Sequence, residues 1–384
     1  GGLHIHWPYI GEKSIRCLQY ILKLKRFLIE ENADILHLRS RLPAWIGYFA
    51  WKLIPRQKRP KLITTFHGFY SINSYSAIMT KGESVAAVSG SIKSHILENY
   101  KVDEKKIHLV HGGFDKNEFY PEKISAERIR FLEKEWNLKP ESGPVVMLPG
   151  RLTQWKGQDV FIQSLALIKD LEFTGLCIGD TEENPSYTKK LNEQILYYGL
   201  EDKVKLVGHC ADMPAAFMLA DVVVSASSTQ PEAFGKIAVE AMAMKKPVIA
   251  TAHGGSLETV KPGETGWLIP PLEPRELADA IKEALSEPEN MKKMGEQGFK
   301  WVNEHFTALR MCERTVQLYH KGSERKVFSN RQKQITVLQM LPELESGGVE
   351  RGTLEMGRYL ARNGHRSIVV SGGGRLVEQL SDDG

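Results

Sequence analysis

Short apolar runs alternate along this chain with longer segments in which apolar positions recur every three or four residues. That is the pattern of parallel strands buried on both faces and connected by helices. In the second half the strand candidates are Val145 to Leu148, Gly175 to Gly179, Val204 to Val207, Val222 to Ser225 and Val248 to Thr251, with helical patterns between them. They predict one Rossmann-like domain over residues 144–305. Asp34 to Leu38 and Leu62 to Phe66 read as strands in the first half, and Thr307 to Tyr319 as a helix. The expected fold class is α/β, with two Rossmann-like domains.

Composition agrees: 384 residues exceed what one core usually serves, and 42% apolar with 26% charged residues is ordinary globular usage. A formal charge of +4 is too small to imply nucleic acid. Cys17, Cys177, Cys210 and Cys312 are widely spaced, so neither zinc nor a disulfide framework is suggested. A reducing cytoplasm is the expected compartment. No apolar run approaches the roughly 20 residues that span a bilayer, and the first residues lack a signal-peptide pattern.

Candidate chemistry gathers at two strand ends. After Val222 to Ser225 comes Pro231-Glu232-Ala-Phe234-Gly235-Lys-Ile-Ala-Val-Glu240, two glutamates separated by seven residues where a strand turns into a helix. Gly235 lets backbone approach a ligand, and the helix start aims N–H groups at an anion. After Val145 to Leu148 comes Pro149-Gly150-Arg151-Leu-Thr-Gln-Trp-Lys156-Gly157. Ligands of open α/β sheets bind at this carboxyl edge. Arg151 as a planar fork and Lys156 as a point charge suit a diphosphate.

Together these residues resemble the nucleotide-sugar glycosyltransferases of the GT-B fold, family four, whose signature is the Glu-x7-Glu pair with an upstream Gly-Arg and Lys-Gly. Further family-like segments, Thr64-Thr-Phe-His67-Gly68, Val88-Ser89, His111-Gly-Gly-Phe-Asp115 and Gly208-His209, extend the resemblance over nearly the whole chain. It implies two domains facing a cleft and retaining transfer of a sugar from a nucleoside diphosphate donor to a hydroxyl of a glycan or glycolipid acceptor, with no metal and no cofactor. Arg151 and Lys156 would then stabilise the leaving diphosphate. Glu232, with backbone around Phe234 and Gly235, would hold the donor sugar, and Glu240 the ribose hydroxyls. His67 would stand close to the transferring sugar, and Gly208, His209 and Cys210 would pass the base along backbone. No covalent nucleophile is assigned. A catalytically silent nucleotide-sugar-binding module is the alternative, although it should have lost the leaving-group charges.

The chain opens at Gly1 inside what looks like an α/β unit, without a first strand or helix of its own. At the other end Ile335 to Leu341 reads as a strand, Gly347-Gly348 as part of a glycine-rich turn, Leu354 to Arg362 as a helix ending at Gly364, and Ser367 to Val370 as a strand. Members of the resembled family usually begin with such a strand-turn-helix-strand. The expectation is therefore a circular permutation: residues 335–384 and 1–143 form one domain joined through Asp383-Gly384 to Gly1, residues 306–322 cross back to it, and 323–334 form a linker. A fragment of a second module is the competing explanation.

The Gly347-Gly348 turn stands where Rossmann sheets receive phosphates, or is a plain tight turn. Gly372-Gly373-Gly374 lacks a nucleotide-binding spacing and reads as a flexible turn. Arg39 and Arg41, in Arg-Ser-Arg-Leu-Pro-Ala-Trp45, are candidate contacts to an anionic acceptor or to the donor phosphates. Similar segments are familiar in enzymes of lipopolysaccharide assembly, which implies an envelope-glycan acceptor. His4, His6, His37, His108, His111, His209 and His253 are scattered and suggest no metal cluster. Finally, Lys52, Arg56, Lys58, Arg59 and Lys61 flank apolar residues in Trp51 to Lys61 without any acid, and suit an anionic membrane surface at the inner face of the cytoplasmic membrane, or a plain exposed loop.

Overall fold

The computed structural model describes residues 2–138, 143–321, 334–345 and 347–382. Two compact units emerge, Gly1–Gly113 with Ala308–Gly384, and Phe114–Thr307. Their strands are β1 (Leu3–His6), β2 (Ile35–Leu38), β3 (Lys61–Phe66), β4 (Ser84–Ala87), β5 (Ile107–Leu109), β6 (Val145–Pro149), β7 (Thr174–Ile178), β8 (Val204–Leu206), β9 (Val222–Ser225), β10 (Val248–Thr251), β11 (Gly266–Ile269), β12 (Thr336–Met340) and β13 (Arg366–Ser371). Every pairing between them is parallel. The result is the two Rossmann-like sheets of the expected α/β class.

In the first unit seven strands lie in the order β1-β13-β12-β2-β3-β4-β5. β13 is the one neighbour of β1, and β12 is the neighbour of β2 on the opposite side from β3. The strands from the end of the chain therefore fill the middle of a sheet begun by its start. Helix Gly348–Arg362 connects β12 to β13 and buries Met356 and Leu360 against Ile35, Ile63 and Val337. It starts earlier than its apolar spacing predicts, at Gly348. Residues 322–333, nearly all of the expected linker, and the join of 383–384 to Gly1 lie outside the described residues.

The second unit carries six strands in the order β11-β10-β9-β6-β7-β8. β6, β7, β9 and β10 are almost wholly buried, which explains why continuous apolar runs rather than alternation marked them. β11 escaped the sequence reading because Trp267 and Leu268 are only half-buried on this edge strand. Gly266 begins it where a Cβ would fall 1.9 Å from the Val248 carbonyl oxygen, so no larger residue fits the register.

The division between units corrects the expected boundary. Segment 114–138, assigned from sequence to the first domain, belongs with the second. Its helix Ala126–Glu135 lies against helix Met213–Leu219, where Arg128 Nε and a terminal guanidinium nitrogen donate to the two Asp212 oxygens at 2.7 and 2.6 Å. Phe119 packs on Phe217 in the same place. Amphipathic spacing shows that a helix has a buried face, not which core receives it. The chain returns to the first unit in helix Ala308–His320, whose Met311, Cys312, Leu318 and Tyr319 join the core around Ile35 and Val337.

Two surface expectations change as well. Lys61 Nζ donates to the carbonyls of Leu318 at 2.6 Å, of Tyr319 at 3.3 Å, and of Lys321. It thus caps the end of helix Ala308–His320, and burial pulls its pKa down to about 8. Arg59 donates to the Ile54 and Lys52 carbonyls and lies over the Trp51 ring. Neither is a free membrane-facing charge. Gly372-Gly373-Gly374 is also not a loose turn: Gly372 N donates to Pro342 O, and Leu344 N to Gly373 O, both at 2.7 Å.

Candidate functional site

Lys156 and Glu232 come from loops that leave the carboxyl ends of β6 and β9. The β6 loop bends at Gly150 (φ 153°), makes one tight turn at Gln154–Lys156, and passes Gly157 (φ 77°) into helix Gln158–Leu167. A Cβ on Gly157 would lie 1.9 Å from Ala226 O, so only glycine permits this approach to the β9 loop. Two hydrogen bonds tie the loops together: Ser228 N donates to Trp155 O at 2.7 Å, and Ser228 Oγ to Gln154 O at 3.0 Å. Lys156 consequently lies over Gly150 and reaches Glu232.

There Lys156 Nζ stands 2.5 Å from Glu232 Oε1, with the side chains 16% and 14% exposed. Ser227 Oγ donates to the same oxygen at 2.8 Å, and Lys156 lies 4.4 Å from the Trp155 ring centroid. Both polar contacts use Oε1, which leaves Oε2 available among the described residues. The two residues predicted separately, as phosphate cation and sugar-binding carboxylate, therefore form one preorganised pair. Neighbouring Arg151 is exposed and makes no ion pair among the described residues.

Backbone around Glu232 is held from below by the loop after β10. Gly255 N donates to Glu232 O at 2.7 Å, and Cβ atoms on Gly254 and Gly255 would collide with Glu232 O at 2.2 Å and with Phe234 Cα at 2.5 Å. Phe234 is buried edge-on to Phe306 at 5.6 Å. Gly235 then takes φ 83° to open helix Lys236–Ala243, on which Glu240 is 5% exposed with Lys236 Nζ at 3.6 Å. Burial lowers the pKa of His253, against an opposing pull from Glu232. Ser227 and the Gly254-Gly255 pair escaped the sequence reading, which placed His253 only among the scattered histidines. The glycines directly after an apolar strand were their legible signal.

At the end of β8, Gly208 (φ 78°) is open to solvent on its Cβ side and accepts from Gly179 N at 2.9 Å. His209 is exposed. Cys210, 9% exposed, has its thiol pushed up to about 11 by burial, so of this trio it offers backbone rather than a reactive sulfur.

On the first unit His67 follows β3 and stands at the carboxyl edge, as its position in the sequence predicts. Its ring Nε2 is buried without a hydrogen-bond partner among the described residues, and burial, with the Arg39 charge, holds its pKa well below the usual value. Arg39 is not a surface contact. It is 4% exposed, donates to Gln339 Oε1 at 2.8 Å, and runs beside Gly352, where a Cβ would meet the guanidinium at 3.1 Å. Arg41 is half-buried at the start of helix Arg41–Lys52, 4.8 Å from the Tyr70 ring centroid. Gly347 and Gly348 are exposed at the start of helix Gly348–Arg362; a Cβ on Gly347 would strike Glu350 at 2.4 Å.

His37, read as one of several scattered histidines, is a core residue. Its Nδ1 bonds Tyr319 Oη at 2.9 Å and its Nε2 bonds Thr65 Oγ1 at 2.7 Å, and burial keeps its pKa well below 6.5. Unfolding exposes His37 and His67 to their ordinary proton affinity. The unfolded chain then binds more protons, so this contribution to stability is complete above pH 6.5 and is lost as pH falls from there toward the folded-state values. The unfolding free energy from denaturant titrations should decline below pH 6.5 by up to about 1.4 kcal/mol per pH unit for each histidine. The slope should shrink in His37→Gln; an unchanged slope would remove His37 from this account.

Comparison with known proteins places the chain among sugar transferases. A family model described as glycosyl transferases group 1 matches residues 130–301, and one described as glycosyltransferase family 4 matches residues 2–118. A glycosyltransferase crystal structure from Rickettsia africae is 32% identical, with a TM-score of 0.76 over 82% of this chain and 84% of that one. Anabaena HepE in complex with UDP and glucose is 25% identical, with a TM-score of 0.70 over 78% of this chain and 81% of that one. Mannosylfructose-phosphate synthase of Agrobacterium fabrum is 30% identical over 190 residues, 47% of this chain and 40% of that protein. The chain thus spans less than half the length of this curated relative.

Proposed function

The chain belongs to the group 1, family 4 glycosyltransferases of the GT-B fold, and on that premise we propose that it transfers a sugar, with retention of anomeric configuration, from a nucleoside diphosphate donor to a glycan or glycolipid hydroxyl in lipopolysaccharide or other cell-envelope glycan synthesis. The observation that carries this reading is the Lys156–Glu232–Ser227 cluster at the ends of β6 and β9. UDP and glucose in the related Anabaena structure support a nucleotide-sugar donor.

The difficult step is departure of the diphosphate while the anomeric carbon gains positive charge. Lys156, Arg151 and the N–H groups opening helix Lys236–Ala243 neutralise the growing phosphate charge, as preorganised dipoles and cations that need no rearrangement during the reaction. Glu232 takes sugar hydroxyls on its free Oε2, while Oε1 keeps Lys156 oriented. Glu240 accepts from the ribose hydroxyls, and Gly208 to Cys210 line the base with backbone. On the first unit His67, neutral at working pH, positions the sugar rather than acting as a base, and the Gly347-Gly348 turn receives phosphate. Charge compensation falls to these side chains and not to a metal ion.

The assay is a panel of nucleotide sugars with slow donor hydrolysis and thermal stabilisation as readouts. One donor is expected to be hydrolysed in the presence of EDTA. Stabilisation without hydrolysis or transfer would instead establish the silent module, and dependence on a divalent cation would overturn the metal-free chemistry.

The places of β12 and β13 inside the first sheet support the permuted chain order, since β13 is the partner strand of β1 and β12 that of β2. Peripheral membrane attachment now rests on Lys52, Arg56 and Lys58, exposed beside Phe49 and Leu53; among the described residues no helix is long and apolar enough to cross a membrane. At about 1 kcal/mol per cation, neutralising all three charges should weaken co-sedimentation with anionic vesicles on the order of a hundredfold. Undiminished binding by that variant would end the membrane reading.

A further inference from the structure

Because β1, β13, β12, β2 and β3 are parallel, the segments that follow them leave one edge of the first sheet. Strand order reverses direction between β12 and β2, the place where open α/β sheets receive ligands. Arg41 lies just past the end of β2. Its guanidinium carbon stands 4.8 Å from the Tyr70 ring centroid and 5.7 Å from that of Tyr75. Lys13, from the segment after β1, places its ammonium 5.5 Å from the same Tyr75 ring. Tyr75 is itself held, since Trp45 Nε1 donates to its carbonyl at 3.0 Å.

Two cations from different loops are thus set on one ring. Neither has a carboxylate within 4 Å among the described residues, neighbouring Glu12 included. Cation–π contacts at such half-exposed positions contribute about 0.5–1 kcal/mol and cancel no charge. The two charges keep a positive field around the Tyr75 ring. Arg41 has a planar fork suited to two oxygens, and Lys13 a point charge suited to a third.

We propose that the first unit recognises an acceptor bearing an anionic group, a phosphate monoester or a carboxylate, held between Arg41 and Lys13 against the Tyr75 ring. This rests on the transferase reading and adds the chemical class of its acceptor.

The test titrates full-length protein, saturated with UDP to block the donor cations, with glucose 6-phosphate, glucuronate and glucose, followed by ligand-observed NMR. The two charged sugars should bind about tenfold or more tightly than glucose, with a preference that fades as salt rises. Binding of only one charged sugar would identify phosphate or carboxylate as the group. Lys13→Gln, on an exposed loop where folding is not at issue, and Arg41→Gln should each reduce the preference about tenfold while UDP affinity stays unchanged. Equal binding of glucose and the charged sugars, or an undiminished preference in Lys13→Gln, would overturn the proposal. Failure of wild-type protein to bind any uridine, guanosine, adenosine, cytidine or thymidine diphosphate would count against the donor site instead, leaving the sugar comparison as the measure of this one.

Discussion

Lys156→Ala is expected to lower turnover by a factor on the order of 100 to 1,000, equivalent to about 3–4 kcal/mol of transition-state stabilisation. The lysine is the cation brought closest to Glu232, and in the proposed reaction its charge is needed most when the diphosphate leaves. Folding should survive, because its side chain lies along Gly150 at the sheet edge rather than in the apolar core. One complication is the partly buried Glu232 carboxylate that the substitution leaves with Ser227 alone. The double variant Lys156→Ala with Glu232→Gln separates the two effects. Recovery of turnover in the double variant would assign the loss to the stranded carboxylate, and near-normal transfer by the single variant would end the leaving-group role. Glu240→Ala should behave differently, weakening nucleotide affinity far more than it slows bound substrate.

Gly157→Ala is expected to damage the second unit itself. A Cβ there meets the Ala226 carbonyl at 1.9 Å, and φ of 77° adds strain for any residue with a side chain. The combined penalty is about 3 kcal/mol, which corresponds to a fall in melting temperature on the order of 10 °C for a unit of this size. Relief by movement of the β6 loop away from Ala226 would stretch the hydrogen bonds from Ser228 and carry Lys156 off Glu232. Thermal denaturation and donor hydrolysis should therefore fail together. A variant with unchanged melting behaviour would show that the loops are not locked by this contact.

The strands that shape the site were legible for a definite reason. β6, β9 and β10 are covered on both faces, so their residues are apolar without interruption, and the charged and glycine-rich segments after them stand out by contrast. Edge strand β11 and helix Ala126–Glu135 were harder, since a half-buried strand has no clear alternation and an amphipathic helix does not name its partner. The fate of individual charges was hardest of all. Arg39 and Arg41 differ by two positions in one motif, yet one is enclosed beside Gln339 and Gly352 while the other is held by aromatic rings. Lys61, grouped by sequence with four other basic residues, caps a helix more than two hundred residues away.

Local order is short-range: apolar periodicity, glycines where backbones must approach, and cations or carboxylates placed directly after buried strands are properties of neighbouring residues, and they suffice to specify two parallel α/β sheets and the loops that carry the chemistry. Which charge meets which is a long-range matter. Lys156 finds Glu232 across 76 positions of sequence because Gly157 and Ser228 draw two loops together, and Lys13 and Arg41 share Tyr75 because parallel strands bring their ends to one edge. Those pairings depend on distances that exist only after the sheets have formed.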